Sequence, residues 1–227
     1  QKEVEVSWQE INEELKMKLL LENFQAFINE QEGKLPQIYC DMDGVLVDFE
    51  RGIVDQINGD LQMIRKMKDV KNLIKIQRAL DTLGRDEIVI DDIRGRSKTS
   101  KPVRDYMYGR VNNDADFWAH LPWMPNGKEL WDFIAPYEPF ILTTPMDKGS
   151  EMGKAFWIDG NLSPKPEKVF MSREKYNWAL DENGEPSILI DDWSKNTVPW
   201  AKKGGIAIQH VNANTSATIE TLRKMGF

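Results

Sequence analysis

The sequence predicts an α/β fold: a parallel sheet with helices on both faces, plus a small helical insert after the first strand. Three observations carry this. From Asn126 onward, short apolar runs alternate with helical patterns, the alternation that builds parallel sheets. Three apolar runs end in polar residues: Asp41, Thr143-Thr144 and Asp191-Asp192. Between the first and second of these lies a long charged stretch with helical periodicity and no clear strand.

The elements follow in chain order. Residues 7–31 read as an amphipathic helix. Ser7 and Glu10 suit a capping box, and Trp8, Ile11, Leu15, Leu19, Phe24, Phe27 and Ile28 form one apolar stripe. Gly33 and Pro36 end it. The stripe can pack on the rest of the chain or pair two copies as a homodimer. Gln37 to Cys40 is a short buried strand. Phe49 to Leu83 reads as helical, with Gly59 as a break and Ile64, Met67, Val70, Ile74 and Leu80 on its apolar face. From Arg85 to Arg110 the pattern is mixed; Ile88 to Ile90 is too short to assign, and Arg94 to Lys101 reads as a loop. Asp114 to His120 is helical. Then follow a helix (Lys128 to Ala135), a strand (Pro139 to Leu142), a helix (Ser150 to Ile158) and a strand (Lys168 to Met171). The chain closes with a strand (Ser187 to Ile190), a helix (Lys195 to Lys203), a strand (Gly205 to Ile208) and a helix (Ala217 to Met225). The architecture is Rossmann-like. It divides into an N-terminal extension (1–36), a core (37–48 and 114–227) and an insert (49–113).

Composition bounds the rest. With 227 residues, 41% hydrophobic and 30% charged, a packed core is expected rather than disorder. No apolar run approaches the roughly 20 residues of a membrane span. Gln1 to Ser7 lacks the basic start and apolar stretch of a signal peptide. The one cysteine, Cys40, allows no internal disulfide and fits a reducing compartment such as the cytoplasm. Two histidines and one cysteine argue against zinc. The net charge of −7 weighs against a broad nucleic-acid footprint.

The chemistry concentrates at strand ends. Asp41-Met42-Asp43-Gly44 follows an apolar strand, where open α/β sheets bind ligands. Two carboxylates this close repel, which favours a divalent cation or a shared proton. Gly44 permits a sharp turn behind them. An Asp-x-Asp pair can equally be a helix cap. The strand Phe140 to Leu142 ends in Thr143-Thr144, and Lys154 follows on a helix; threonines at strand ends and helical lysines are common without function. Ser187 to Ile190 ends in Asp191-Asp192, and a buried strand ending in two acids is explained by a metal.

In that order, Asp-x-Asp, Thr, Lys, Asp-Asp, the chain resembles the haloacid dehalogenase superfamily of phosphohydrolases over roughly residues 37–210. Asp41-Met42-Asp43-Gly44-Val45-Leu46-Val47-Asp48-Phe49-Glu50 looks like the opening of the 5′(3′)-deoxyribonucleotidases. Thr143-Thr144-Pro145, Gly153-Lys154 with Trp157, and Ile188 to Asp192 are similar to that family too, whereas residues 1–36 and 58–116 do not match it. The resemblance implies a Mg2+-dependent phosphomonoesterase acting on nucleoside monophosphates, deoxyribonucleotides foremost. Asp41 would be the nucleophile, forming an aspartyl-phosphate, and Asp43 the general acid and base. Mg2+ would be held by the Asp41 side chain, the Asp43 carbonyl and Asp192, with Asp191 orienting Lys154 or a water. Thr143 and Lys154 would hold the phosphate, and Thr144 would assist.

In that superfamily an insert such as 49–113 acts as a cap over the site. Phe49 would stack on a base or sugar, or serve as a core residue at the base of the insert. Trp118 or Trp123 could touch substrate, and Trp131 reads as core. The basic run Arg94, Arg96, Lys98, Lys101 is a solvated loop or a contact to a second phosphate or a polynucleotide. Alternatives to the nucleotidase expectation are a polynucleotide 3′-phosphatase, a sugar-phosphate phosphatase, or a catalytically inactive interaction protein.

Overall fold

The computed structural model describes residues 35–63, 71–95, 100–211 and 214–227. The expected helix over 7–31, the apolar positions Ile64, Met67 and Val70, and the basic residues Arg96 and Lys98 lie outside them. Five strands form one parallel sheet: β1 (Ile38–Cys40), β2 (Phe140–Thr143), β3 (Val169–Met171), β4 (Ile188–Asp191) and β5 (Ile206–Gln209). Their order is β3-β2-β1-β4-β5, and every neighbouring pair is parallel.

This order follows from two halves wound in opposite directions from β1. The chain steps from β1 out to β2 and β3, then returns to lay β4 against the other side of β1. The crevice where the direction reverses is the usual ligand site of an open α/β sheet. Here it lies beyond Cys40 and Ile190, which pair in register.

Both faces of the sheet are covered, and alternation along each strand shows how. Ile38, Cys40, Ile141, Ile188, Ile190, Ile206 and Ile208 point into the larger core. Their neighbours Tyr39, Phe140, Leu142, Leu189 and Ala207 face a second, aromatic core around Trp200. Trp200 also donates from Nε1 to the Ser187 carbonyl at 3.1 Å.

Helices α1 (Phe49–Gln62), α2 (Lys71–Leu83), α3 (Ile90–Ile93) and α4 (Ser100–Val111) occupy the stretch between β1 and β2. Asp48 caps α1 by accepting from Arg51 N at 2.9 Å. Gly59 does not break α1. Its cost of about 1 kcal/mol is outweighed by Ile53, Val54, Ile57 and Leu61, which bury one helix face. The expected loop from Arg94 to Lys101 is also shorter than predicted, because α4 begins at Ser100. Its only apolar row, Val103, Met107 and Val111, recurs every fourth residue, too sparse for periodicity to register against so polar a background. Polar contacts tie these helices together: Asp60 accepts from Tyr106 Oη at 2.7 Å and Arg110 Nε at 3.2 Å.

The remaining helices are α5 (Ala115–Ala119), α6 (Gly127–Ile134), α7 (Lys148–Asn161), α8 (Ser194–Lys202) and α9 (Thr215–Lys224). α7 opens with a capping box: Ser150 N donates to Asp147 Oδ1 at 2.9 Å, and Asp147 N to Ser150 Oγ at 2.8 Å. It packs closely on α5, since a Cβ at Gly153 would lie 2.4 Å from Ala115 O and Trp118 Cβ. That contact fixes where Lys154 starts. No helix among the described residues is long and apolar enough to cross a membrane.

Candidate active site

The site grows out of the ends of β1 and β4. Asp41 N donates to the Ile190 carbonyl at 2.9 Å, so the sheet's register carries one residue past β1. The chain then folds into a tight turn in which the Met42 carbonyl accepts from Leu46 N and Val47 N, both at 2.8 Å. Gly44 makes this turn at φ 75°. A Cβ there would lie 2.3 Å from Asp192 Oδ2, so glycine is required by both backbone and space.

Carboxylate oxygens of Asp41, Asp191 and Asp192 come within 4.8 Å of one another. Their surroundings differ. Asp191 is surrounded by donors: Trp193 N at 2.8 Å and Asn196 Nδ2 at 3.1 Å reach Oδ1, while Lys175 Nζ at 2.7 Å and Asn196 Nδ2 at 3.0 Å reach Oδ2. Asp41 Oδ1 receives Met42 N at 2.7 Å and Lys175 Nζ at 2.8 Å. Asp192 is half-buried beside Gly44. Burial and the charges of Asp41 and Asp191 push its carboxyl up to about 7. Burial, then Asp41, push Asp191 up to about 6 against the pull of Lys175.

Lys175 is the residue that sequence reasoning missed. It stands on a 3₁₀ turn, Lys175–Trp178, just after β3, is only 1% exposed, and bridges Asp41 and Asp191. Burial pulls its ammonium down, but the two carboxylates outweigh burial and hold it above its ordinary value. The available signal was a lysine in a polar loop following a strand; a 3₁₀ turn has no periodicity to single it out. Asp191 therefore holds Lys175, where the expectation was Lys154 or a water.

Lys154 occupies the other side. It too is 1% exposed. Its Nζ donates to Asp43 Oδ2, to Thr143 Oγ1 at 2.8 Å and to the Thr144 carbonyl at 3.3 Å. It also lies 5.4 Å from the centre of the Trp118 ring. Burial raises the Asp43 carboxyl, and Lys154 opposes that rise. Asp43 Oδ1 is buried with no hydrogen-bond partner among the described residues.

The other predicted residues fall as follows. Thr143 is fully buried and serves Lys154. Thr144 spends its hydroxyl on the Ser172 carbonyl at 2.7 Å, which ties β2's end to β3's loop. Phe49 is half-buried and stacks on Trp118, with centroids 5.0 Å apart and planes at 14°. Trp118 itself is 3% exposed and donates from Nε1 to the Val111 carbonyl at 3.2 Å, and Phe49 packs against the larger core. Trp123 packs edge-on against Trp157, 4.7 Å between centroids, and Trp131 is buried. Arg94 pairs with Glu50 and Lys101 with Asp105. Cys40 is buried beneath Asp41, and burial pushes its thiol well above its ordinary value.

Asp-x-Asp, threonine, buried lysines and Asp-Asp thus meet at one edge of a five-stranded parallel sheet, at its switch point, with a helical segment inserted after the first strand. Solved structures with similar paths are haloacid dehalogenase-like proteins and other hydrolases. A haloacid dehalogenase-like hydrolase from Xanthomonas campestris has a TM-score of 0.47 at 16% identity, covering 84% of this chain and 91% of that one. A hydrolase from Streptococcus pneumoniae TIGR4 has a TM-score of 0.46 at 11% identity, covering 82% and 99%. The haloacid dehalogenase-like hydrolase YfnB from Bacillus subtilis, bound to magnesium, has a TM-score of 0.45 at 11% identity, covering 77% and 88%. The chemistry rests on the side chains above. No family model matches the sequence, and no curated protein does.

The donor set fits a hard divalent cation. With all three ionised, the carboxylates face one ammonium, Lys175, which leaves two negative charges uncompensated. All the facing side-chain ligand atoms are oxygens, as Mg2+ and Ca2+ prefer. Asp192, the carboxylate raised furthest, is the one that most needs a positive neighbour.

Proposed function

We propose that this chain is a Mg2+-dependent phosphomonoesterase that dephosphorylates nucleoside monophosphates, with Asp41 as nucleophile. The observation that carries the proposal is the division of the site. Asp41 sits in a cluster two charges short of neutrality, while Asp43, two residues on, is paired with Lys154 and keeps one buried oxygen unengaged.

Asp41 attacks phosphorus as the bond to the leaving oxygen breaks, and Asp43 gives that oxygen its proton. In the second half Asp43 takes a proton from water, the water oxygen bonds phosphorus, and the bond to Asp41 breaks. Asp41, Asp192 and the Asp43 carbonyl would hold Mg2+, which when bound screens the nucleophile from the anionic phosphate. Asp191 acts through Lys175, whose ammonium steadies charge beside Asp41. Thr143 supports the phosphate side through Lys154.

Phe49 supports the nucleotide assignment as a half-buried ring stacked on Trp118, which lies against Lys154. The polynucleotide alternative loses its motivation at Arg94 and Lys101, whose charges are met by Glu50 and Asp105. A phosphate-release screen with Mg2+ tests the proposal. Release from nucleoside monophosphates ahead of sugar phosphates and 3′-phosphorylated oligonucleotides supports it. Release from p-nitrophenyl phosphate but from no nucleotide sinks the substrate assignment and spares the phosphatase. Release from none of them sinks both.

A further inference from the structure

The structure assigns Gln209 as a positioning residue for the cation seat: its side-chain amide holds the peptide between Asp192 and Trp193, and through it the Asp192 carboxylate. This rests on the cation reading within the function proposed above.

Gln209 is the last residue of β5 and stands in register with Asp191 on β4. The ladder between these strands closes with His210 N donating to the Asp191 carbonyl at 2.9 Å. Beyond that bond the strands part, because Trp193 N turns back to Asp191 Oδ1 at 2.8 Å. The next carbonyl, Asp192 O, is met by a side chain instead: Gln209 Nε2 donates to it. The partners also fix which way the amide points. A carbonyl only accepts, so the amide nitrogen must face Asp192. Gln209 Oε1 then faces Thr197, whose hydroxyl donates to it at 2.6 Å. Thr197 is buried on α8. Gln209 is exposed, yet both ends of its amide are engaged.

The peptide between Asp192 and Trp193 is therefore held twice, its carbonyl by Gln209 and its N–H by Asp191. Its plane adjoins the Cα that carries the Asp192 carboxylate, and that carboxylate lies against Gly44. The two acids at the end of β4 are thus steadied differently. Asp191 is held through its own oxygens, by Lys175 and Asn196, and Asp192 through its backbone. With the plane fixed, the Asp192 oxygens stay near those of Asp41 before a cation arrives. With the plane free, that order has to be imposed when the cation binds, and affinity falls. Groups that orient metal ligands from behind typically account for about 10–100-fold in affinity.

Calorimetric titration of Mg2+ into the substrate-free protein tests this, in wild type, Gln209→Met and Thr197→Val. Gln209→Met keeps the side chain's length and removes its N–H; it should raise the Kd for Mg2+ about tenfold. Thr197→Val leaves the bond to Asp192 in place and should keep the Kd within about threefold of wild type, whatever it does to stability. Phosphate release by Gln209→Met should return close to the wild-type rate at saturating Mg2+. An unchanged Kd in Gln209→Met, an equal rise in Thr197→Val, or a loss of activity that saturating Mg2+ does not restore would overturn the inference. Where Gln209→Met does not fold, the double variant with Thr197→Val, which leaves no hydroxyl without its partner, decides by the same titration. A wild type that binds no Mg2+ overturns the cation reading and this inference with it. A wild type that binds Mg2+ but releases no phosphate overturns the phosphatase proposal alone.

Discussion

The two halves of the site each bury a lysine at 1% exposure, yet they are built for opposite ends. Around Lys175 there are three carboxylates, two of them pushed up to about 6 and about 7. Around Lys154 there is one carboxylate, one hydroxyl and one carbonyl, and charge is balanced. Buried ion pairs are weak evidence for stability, but the imbalance is informative. The first half is poised to take a cation, and the second to hold a single carboxyl in place.

The nucleophile half should be the more sensitive. If Asp41 is the nucleophile proposed above, Asp41→Asn keeps the shape and removes the attacking oxyanion; steady-state phosphate release should fall by about 10⁴-fold or more. Activity within tenfold of wild type would dissolve the distinction between the halves. Lys175→Met comes next. It should lower kcat by about 10²–10³-fold and cost about 3–5 kcal/mol in denaturant unfolding, because Asp41 and Asp191 are left buried without their partner. A fully stable, fully active Lys175→Met variant would mean that the bridge is incidental.

The charge imbalance has a pH signature. Asp191 and Asp192 have folded values of about 6 and about 7, above the ordinary 3.8. Groups raised on folding contribute stability that is fully present below the unfolded value and lost as pH rises through the folded one. The cation-free protein should therefore lose stability between pH 4 and pH 8 from these two groups. Added Mg2+ should raise the melting temperature more at pH 8 than at pH 5, where the two carboxyls are largely protonated. Asp192→Asn should shrink that difference. A Mg2+ shift independent of pH would break the account of this half.

What the sequence exposed follows the same division. The strand ends at Asp41, Thr143 and Asp191 were legible, because apolar runs broken by acids or hydroxyls survive in one dimension. The alternation from Asn126 onward likewise made the sheet and its helices readable, with boundaries within a few residues. Lys175 was not legible, since its role depends on a non-periodic turn delivering it between two strands distant in sequence. Lys154 was found, but its partner was not: only the packing of α7 on α5 shows that it reaches Asp43. Gly59 misled because local propensity favoured a break, and the buried face of α1 overrode it. Ser100 to Val111 went unseen because its polar surface hides a single apolar row.

The smallest effect concerns the wall of the site rather than either lysine. Phe49 stacks on Trp118, and Trp118 lies against Lys154, so the aromatic pair adjoins the acid half. If Phe49 meets the nucleoside, Phe49→Ala removes contact with the leaving group while Asp41, Lys175 and the Asp191 cluster keep their partners. KM for a nucleoside monophosphate should rise about tenfold, equivalent to about 1.4 kcal/mol, with kcat changed little. p-Nitrophenyl phosphate, whose small ring makes less of that wall, should show a smaller change. The Mg2+-induced melting shift should match wild type, because no ligand of the cation has moved. Were Phe49→Ala instead to lower kcat on both substrates alike, the ring would be acting through Trp118 on the seat of Lys154. The wall and the acid half would then be one mechanical unit, and the boundary of the balanced half would extend out to the helical insert.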